Sequence, residues 1–134
     1  MEPIGFSTSS IKFQREAAQA IESVGADDRL GIVHDTFQHA LAGDAEIIVQ
    51  HIRLVHISGV VGGSGVLTDS LDAQRVLVDE NDRADTPGQV KSLLEAGYTG
   101  PFSYECTSPL IQNLSDPRAQ IDASITYLRR LDPQ

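Results

Sequence analysis

Short apolar runs alternate with helical patterns along this sequence. Each of four runs that favour β-structure is followed by a polar turn and then by apolar positions at helical spacing. The predicted strands are Glu2–Phe6, Leu30–Asp35, Arg53–Ser58 and Pro101–Cys106. The alternation is typical of βα units on a parallel sheet, and a continuously apolar run such as 30–35 predicts a strand buried on both faces. The predicted fold class is therefore α/β with four parallel strands.

Capping residues indicate four helices between and after these strands. The predicted helices are one capped by Ser9 or Ser10 and ending at Gly25, one from about Asp44 to His51, one from the Thr86-Pro87-Gly88-Gln89 capping box to Gly97, and one starting at Asp116-Pro117. A long segment containing Gly59, Gly62, Gly63 and Gly65 separates the third strand from the third helix. A loop of this length in a compact domain is usually functional or mobile.

Composition limits the class of protein and its partners. The chain has 134 residues, of which 40% are hydrophobic, so we expect one domain over residues 1–134. No run approaches the ~20 apolar residues of a membrane span, the N-terminus lacks a signal core, and the single Cys106 fits a reducing compartment, so the expected location is cytoplasmic. A net charge of −9 repels phosphates, so neither nucleic acid nor a membrane is an expected partner.

A polar residue capable of binding a metal lies in each predicted strand. Asp35 ends the second strand, and His56 and Glu105 lie near the ends of the third and fourth. Glu2 lies within the first. Ligands of parallel sheets bind beyond the carboxyl ends of the strands, and three carboxylates with one imidazole suit Mn²⁺, Mg²⁺, Co²⁺ or Zn²⁺. Each residue could also cap a helix or satisfy a polar atom of the core, so spacing alone leaves both interpretations open.

Four stretches carry a family resemblance, in this order: Glu2–Phe6, Leu30–Gly43, Leu54–Ser58 and Gly97–Glu105. They resemble the xylose isomerase-like TIM barrels, the sugar phosphate isomerase/epimerase group that also includes endonuclease IV. Within that group the sequence is most similar to the inosose isomerases of inositol catabolism, because Val66–Asp69 followed by Arg75–Leu77 resembles their long loop. The resemblance covers only the second half of the family's barrel. It therefore implies a (β/α)₄ half of a TIM barrel, with strands five to eight.

The resemblance also implies a metal site and a reaction. In such enzymes a Glu, an Asp, a His and a Glu bind one divalent metal ion, which implies the ligands Glu2, Asp35, His56 and Glu105. The two glutamates face each other across the substrate in several members, so Glu2 and Glu105 are the implied acid/base pair. The implied reaction is isomerisation or epimerisation of a ketose, inosose or related sugar, with a carboxylate moving a proton through an enediolate.

Three further residues are implied to bind substrate. The family usually has His three positions after the metal Asp, where this chain has Gln38, which can hydrogen-bond but cannot shuttle a proton. His39 matches the second histidine of the family pair, and Arg75 is implied to hold a hydroxyl or phosphate, with a surface salt bridge as the alternative. Two other departures are Ser58 in place of an Asp and Val78–Asp82 in place of a Pro-Gly-x-Gly turn.

Length is the largest departure from the family. A complete barrel needs ~250 residues, so half a barrel with open edges and an exposed apolar face predicts pairing with a second copy or with an N-terminal half. We expect a metal-dependent sugar isomerase or epimerase, and the activity of an isolated half stays open. The alternative is a non-catalytic assembly module that keeps the metal ligands. A nuclease like endonuclease IV is disfavoured by the acidic balance and by the single histidine available for a metal cluster.

Overall fold

The computed structural model describes residues 1–62 and 65–131. The α-helices are α1 Gln14–Ser23, α2 Thr36–Ala42, α3 Thr86–Glu95, α4 Pro109–Gln112 and α5 Pro117–Leu131. The strands are β1 Ile32–Asp35, β2 Ile52–Ile57, β3 Gly59–Val60, β4 Arg75–Val76 and β5 Phe102–Tyr104. Three 3₁₀ turns lie at Val49–His51, Leu67–Asp69 and Asp72–Gln74. Among the described helices, none is both long and apolar enough to cross a membrane.

A parallel sheet of three strands, in the order β1-β2-β5, forms the centre of the fold. Its register pairs Asp35 with His56 and His56 with Ser103, so the polar ends of β1 and β2 are neighbours. The short strands β3 and β4 form a separate antiparallel pair in the segment after β2. The prediction of a parallel α/β fold is confirmed, and the register brings candidate ligands to one edge of the sheet.

The first predicted strand, Glu2–Phe6, is wrong as a strand. Residues 2–6 are irregular, although the Val33 N–H donates to the Met1 carbonyl at 2.8 Å and the Met1 amine donates to the Gly31 carbonyl at 2.6 Å. Pro3 has no N–H for a ladder, which limits regular pairing over so short a segment. The segment nevertheless lies along the outer edge of β1, where the parallel sheet would continue.

The second helix, predicted from about Asp44 to His51, is also wrong. The structure begins α2 directly after β1, because the Asp35 carboxylate caps the helix by accepting from the Gln38 N–H at 2.8 Å. Gly43 ends the helix with a φ of 67°, a conformation that favours glycine. Residues 44–48 are irregular and lead to the 3₁₀ turn before β2.

Two other predicted helix starts differ in detail. The first helix begins at Gln14 rather than beside Ser9 or Ser10, because the Glu16 carboxylate accepts from the N–H groups of Lys12 and Phe13 at 2.8 and 3.0 Å. The third helix begins at Thr86, without the predicted capping box at Gln89, whose side chain bonds elsewhere. The predicted ends at Gly25 and Gly97 and the start at Pro117 agree with the structure. Gly63 of the predicted long loop lies outside the described residues.

Two apolar clusters hold the helices against the sheet. The larger lies between α1, α3 and the parallel strands and contains Ala17, Ala18, Ile21, Ile32, Ile52, Val55, Leu93 and Tyr98. The smaller contains Phe37, Leu41, Val60 and Ala84, and it packs α2 against β3. Phe37 is fully buried, and it follows Asp35 by two residues. The packing of α2 therefore fixes the carboxyl end of β1.

A buried histidine ties the sheet to the helices behind it. The side chain of His34 bonds through Nδ1 to the Gln14 amide at 2.5 Å and through Nε2 to Gln89 Oε1 at 2.9 Å. Gln89 in turn donates to the carbonyls of Thr36 and Ala84. Both ring nitrogens have neutral partners, so the network suits the neutral imidazole. Burial, with a smaller effect of His39, lowers the pKa of His34 from 6.5 to about 4.

This histidine predicts a pH dependence of stability. In the unfolded chain the imidazole takes up a proton below about 6.5, whereas in the fold it stays neutral down to about 4. The unfolded state therefore binds more protons in that window, and the free energy of unfolding should fall by on the order of 2–3 kcal/mol as the pH drops through it. Urea unfolding at several pH values should give a shallower dependence for His34→Gln. Equal slopes in the two chains would contradict the assignment.

Candidate metal centre

Four side chains from separate parts of the chain converge at the carboxyl edge of the sheet. Asp35 and His56 lie on neighbouring strands, and Glu105 follows β5, where its N–H donates to the Ile57 carbonyl at 3.0 Å. Glu2 comes from the segment along β1. Each of the four offers one ligand atom, and these atoms all lie within 4.8 Å of one another. The structure thus brings together all four residues predicted to bind a metal ion.

His56 Nδ1 is the atom that tests whether these residues fit a cation. It lies 3.3 Å from Glu105 Oε2, 3.8 Å from Asp35 Oδ2 and 3.8 Å from Glu2 Oε1. It is buried, and it has no hydrogen-bond partner among the described residues. A buried polar atom without a partner is unfavourable, and an imidazole lone pair beside three carboxylate oxygens is a donor set for a divalent cation. The four residues therefore fit a metal ion.

Burial and mutual repulsion disfavour the charged forms of two carboxylates in the cluster, Asp35 and Glu2. Burial is the largest cause that raises the pKa of Asp35 to about 6, against the opposing charge of Arg75. Burial, followed by the charge of Glu105, also raises the pKa of Glu2. Negative charges crowded in a poorly solvated site repel one another. A cation bound here would relieve that repulsion.

Arg75 lies against this cluster, and its salt bridges are buried rather than on the surface. Its side chain is 3% exposed, and its Nη2 bonds to Asp35 Oδ2 and, at 2.9 Å, to Glu105 Oε2. Although burial opposes its charge, the neighbouring Asp35 and Glu105 raise the pKa of Arg75 above its usual value. Its Nε donates to Ser58 Oγ at 3.0 Å. Ser58, noted in the sequence only as a departure from the family, therefore orients the guanidinium.

The Gln38 side chain is hydrogen-bonded to the segment that carries Glu2. Its Oε1 accepts from the Gly5 N–H at 2.9 Å, and its Nε2 lies 3.4 Å from Asp72 Oδ1. Its side chain is buried, so its immediate role is to fix two loops beside the cluster. Binding of substrate by Gln38 stays a prediction, as it does for Arg75.

His39 is placed apart from the four ligands. Its ring lies 4.8 Å from the ring of His34, measured between centroids, and burial lowers its pKa. Because α2 starts directly after Asp35, successive residues of its first turns point about 100° apart, and Gln38 and His39 face different neighbours. The structure does not bring His39 to the cluster, and its predicted contact with substrate stays a prediction.

Gly5 provides a direct test of how the Glu2 segment is held. A Cβ at this position would lie 2.8 Å from the Ala42 N and closer still to the Gln38 carbonyl, both of them backbone atoms of α2. Gly5→Ala should therefore displace the segment and lower the affinity for Zn²⁺ by about tenfold, with an overpacking cost of about 1–3 kcal/mol in stability. Calorimetric titration measures the affinity. Gly65→Ala is the control, since its Cβ would make only an ordinary contact, 3.5 Å from Asp69 Oδ2. Equal losses of Zn²⁺ affinity in both variants would contradict the prediction.

A second group of potential ligands lies before β2. His51 is buried, with Nε2 3.2 Å from Glu22 Oε1 and Nδ1 3.7 Å from Asp27 Oδ1. The carboxylates are exposed and flank opposite nitrogens of the ring, and Nε2 shares a hydrogen bond with Glu22 Oε1. This group therefore links α1 to β2, and it serves below as an internal control for the first cluster.

The chain is similar in sequence to one protein family and in fold to several solved structures. The sequence profile of a family described as the xylose isomerase-like TIM barrel matches residues 1–131. A xylose isomerase domain-containing protein from Salmonella typhimurium LT2 is 30% identical, with a TM-score of 0.83 over 99% of this chain and 49% of that one. The IolI protein, solved with a bound zinc atom, is 19% identical, with a TM-score of 0.79 over 95% of this chain and 47% of that one.

A third solved structure has the same relation to the chain. A xylose isomerase domain protein from Alicyclobacillus acidocaldarius is 20% identical, with a TM-score of 0.75 over 97% of this chain and 48% of that one. The chain thus spans about half the length of each of these three structures. No curated protein sequence matches it significantly.

Proposed function

Because the chain belongs to the xylose isomerase-like TIM barrel family, we propose that it takes part in divalent-metal-dependent isomerisation or epimerisation of a sugar. The observation that carries the proposal is the buried Nδ1 of His56, which faces three carboxylate oxygens and has no hydrogen-bond partner within residues 1–62 and 65–131. The zinc atom of the IolI protein, which has the same fold, supports a divalent ion as the occupant. The proposed substrate is a ketose, an inosose or a related small sugar.

The proposed ligands divide by exposure into two kinds. The Asp35 side chain is 0% exposed, whereas those of Glu2 and Glu105 are 27% and 39% exposed. Asp35 can therefore reach only groups inside the cluster, while the two glutamates can also reach a molecule above it. His56, at 17%, presents its unpartnered nitrogen inward. Asp35 and His56 are accordingly proposed as ligands only, and the glutamates as ligands that also transfer protons.

Isomerisation and epimerisation both need one carboxylate to take a proton from a carbon of the sugar, and the same or a second carboxylate to return a proton to carbon. When bound, the divalent ion would polarise the sugar carbonyl and its neighbouring hydroxyl, which acidifies the carbon beside the carbonyl. One glutamate takes that proton as the C–H bond breaks, and the electron pair moves into the enediolate of the sugar. Return of the proton to the former carbonyl carbon, while the proton of the neighbouring hydroxyl passes to the former carbonyl oxygen, gives the isomer. Delivery of a proton by the second glutamate to the opposite face of the original carbon gives the epimer. In each glutamate the oxygen facing His56 Nδ1 is the proposed ligand atom, and the other oxygen, Oε1 of Glu105 and Oε2 of Glu2, is the proposed proton-carrying atom.

We also propose that the chain corresponds to strands five to eight of the family barrel and acts when paired. The chain covers 47–49% of each of the three related structures, which supports the correspondence to half a barrel. In the described sheet β5 is an edge strand, with hydrogen bonds from β2 on one side. An edge strand offers free N–H and C=O groups to another chain. A second copy or a separate N-terminal half is the proposed partner.

One experiment separates the enzyme from a non-catalytic assembly module, for which the open edge is the favouring observation. The native mass and metal content of the purified chain are measured with and without Mn²⁺ or Zn²⁺, and interconversion is then assayed on ketoses and inososes. Bound metal with metal-dependent turnover supports the enzyme. A metal-binding oligomer without turnover supports the module, and a chain that binds neither ion contradicts the metal centre.

A further inference from the structure

The guanidinium of Arg75 binds the same oxygens that a metal ion would use. Its Nη2 bonds to Asp35 Oδ2 and to Glu105 Oε2, the latter at 2.9 Å. These two oxygens also face His56 Nδ1, at 3.8 and 3.3 Å. A metal ion bound to the His56 nitrogen must therefore share these two oxygens with the Arg75 guanidinium or displace it from them.

The contact of Arg75 with Asp35 and Glu105 reduces the repulsion between the carboxylates of the cluster. Glu2, Asp35 and Glu105 carry up to three negative charges on oxygens within 4.8 Å of His56 Nδ1 and of one another. Arg75 contributes one positive charge in direct contact with two of them. Without a metal ion, that charge offsets much of the repulsion that would otherwise separate strand ends β1 and β5. With a divalent ion added, three negative charges are balanced by three positive ones.

Arg75 also has a second carboxylate within reach. Its Nη1 lies 3.5 Å from Asp72 Oδ1, on a side chain that is 52% exposed. Its Nε is fixed to Ser58 Oγ at 3.0 Å, and its guanidinium carbon lies 5.1 Å from the Phe37 ring centroid. With Nε anchored, a small rotation of the guanidinium can weaken its contacts to Asp35 and Glu105 and strengthen its contact to Asp72.

We propose that Arg75 is a positioning residue that acts as the stand-in cation of the metal-free site and yields the Asp35 and Glu105 oxygens to a divalent ion by shifting toward Asp72. The inference rests on the proposed metal centre and adds a competitor that belongs to the chain itself. The affinity of the site for metal is then set by the exchange of one cation for another. Loss of Arg75 weakens the metal-free fold and strengthens metal binding, opposite effects that simple structural damage does not produce.

The test measures metal affinity in a double-mutant cycle on the full chain after treatment with a chelator. Arg75→Met keeps the apolar stem but removes the charge, so the affinity for Mn²⁺ and Zn²⁺ should rise about tenfold or more while the metal-free chain unfolds at lower urea. Asp72→Asn should lower the affinity, because the guanidinium loses its second partner. In the Arg75→Met background, Asp72→Asn should have little effect. Arg15→Met, which removes a surface ion pair with Glu46, is the control and should change neither quantity.

Each other outcome overturns the inference. Unchanged or weaker affinity in Arg75→Met contradicts a competing cation, and an equal effect of Asp72→Asn in both backgrounds shows that Asp72 acts only through its own charge. If Arg75→Met does not fold, Arg75→Lys replaces it in the cycle, since a compact ammonium cannot bridge two carboxylates as a planar fork does. If the unsubstituted chain binds metal and Arg75→Met binds it no more tightly, the proposed metal centre stands and the role of Arg75 falls. If neither chain binds metal, both proposals fall.

Discussion

Turnover of the Glu105→Gln chain is expected to fall by about two to four orders of magnitude, the usual contribution of a positioned acid or base. Glutamine keeps the size of the side chain and an oxygen that can still face His56, but it cannot take or return a proton. Glu105 is the most exposed of the three carboxylates, so its loss should affect the reaction more than the packing. Initial rates of sugar interconversion, at metal concentrations that saturate the variant, provide the measurement.

The control for this substitution is another exposed carboxylate. Glu46 pairs with Arg15 on the surface and is 43% exposed, so Glu46→Gln should retain full turnover. Incorporation of deuterium from the solvent into the sugar gives a second readout, because it reports removal of the carbon-bound proton even when no net product forms. If Glu105→Gln kept turnover and deuterium incorporation within about tenfold of the unsubstituted chain, it would rule out Glu105 as a proton-transferring group.

Replacement of His56 by alanine is expected to lower the affinity for Zn²⁺ or Mn²⁺ by about a hundredfold or more, since changes behind the ligands alone cost about ten- to a hundredfold. The variant removes the only imidazole of the cluster and leaves its carboxylates in place. Its metal-free stability should fall only by the packing of the part-buried ring, because the Nδ1 it removes has no hydrogen-bond partner among the described residues. A strong loss of metal binding without a matching loss of stability identifies a ligand.

His51→Ala is the matched control for this experiment. His51 is also buried between carboxylates, but it belongs to the separate group with Glu22 and Asp27 before β2. Its replacement should reduce stability by removing a buried ring and its hydrogen bond to Glu22, and should leave metal affinity unchanged. If instead His51→Ala abolished binding and His56→Ala did not, the ion would have to be assigned to the other group. Calorimetric titration of both variants under one set of conditions decides between them.

The placement of three of the four candidate ligands was predictable because it depends on local signals. Asp35, His56 and Glu105 each lie at or near the end of an apolar run, and parallel pairing brings such ends to one edge. Glu2 was assigned correctly to the cluster although its strand was wrong. Its position depends on the long-range hydrogen bonds of Met1 and Gly5, which no pattern within residues 2–6 specifies.

The helix after β1 and the role of Arg75 could not be derived from the sequence pattern. Asp35 was interpreted as the last residue of a strand, whereas it is also the N-cap of α2, and this dual use shifted the predicted helix to Asp44–His51. Arg75 begins the short strand β4 directly after a 3₁₀ turn, and its partner Asp35 lies 40 residues earlier. Only the folded chain shows that the two are buried together.

The two oxygens of Asp35 have different tasks. Oδ1 accepts from the Gln38 N–H and caps α2, while Oδ2 bonds to Arg75 and faces His56. An ion that binds only the folded chain lowers the unfolded population in proportion to its free concentration relative to the dissociation constant. With the proposed ion bound at this carboxylate, which also starts α2, the supply of metal in the cell would be a variable of the folding equilibrium. We expect scarcity of the ion to reduce how much of this protein escapes proteolysis, before any effect on its chemistry is felt.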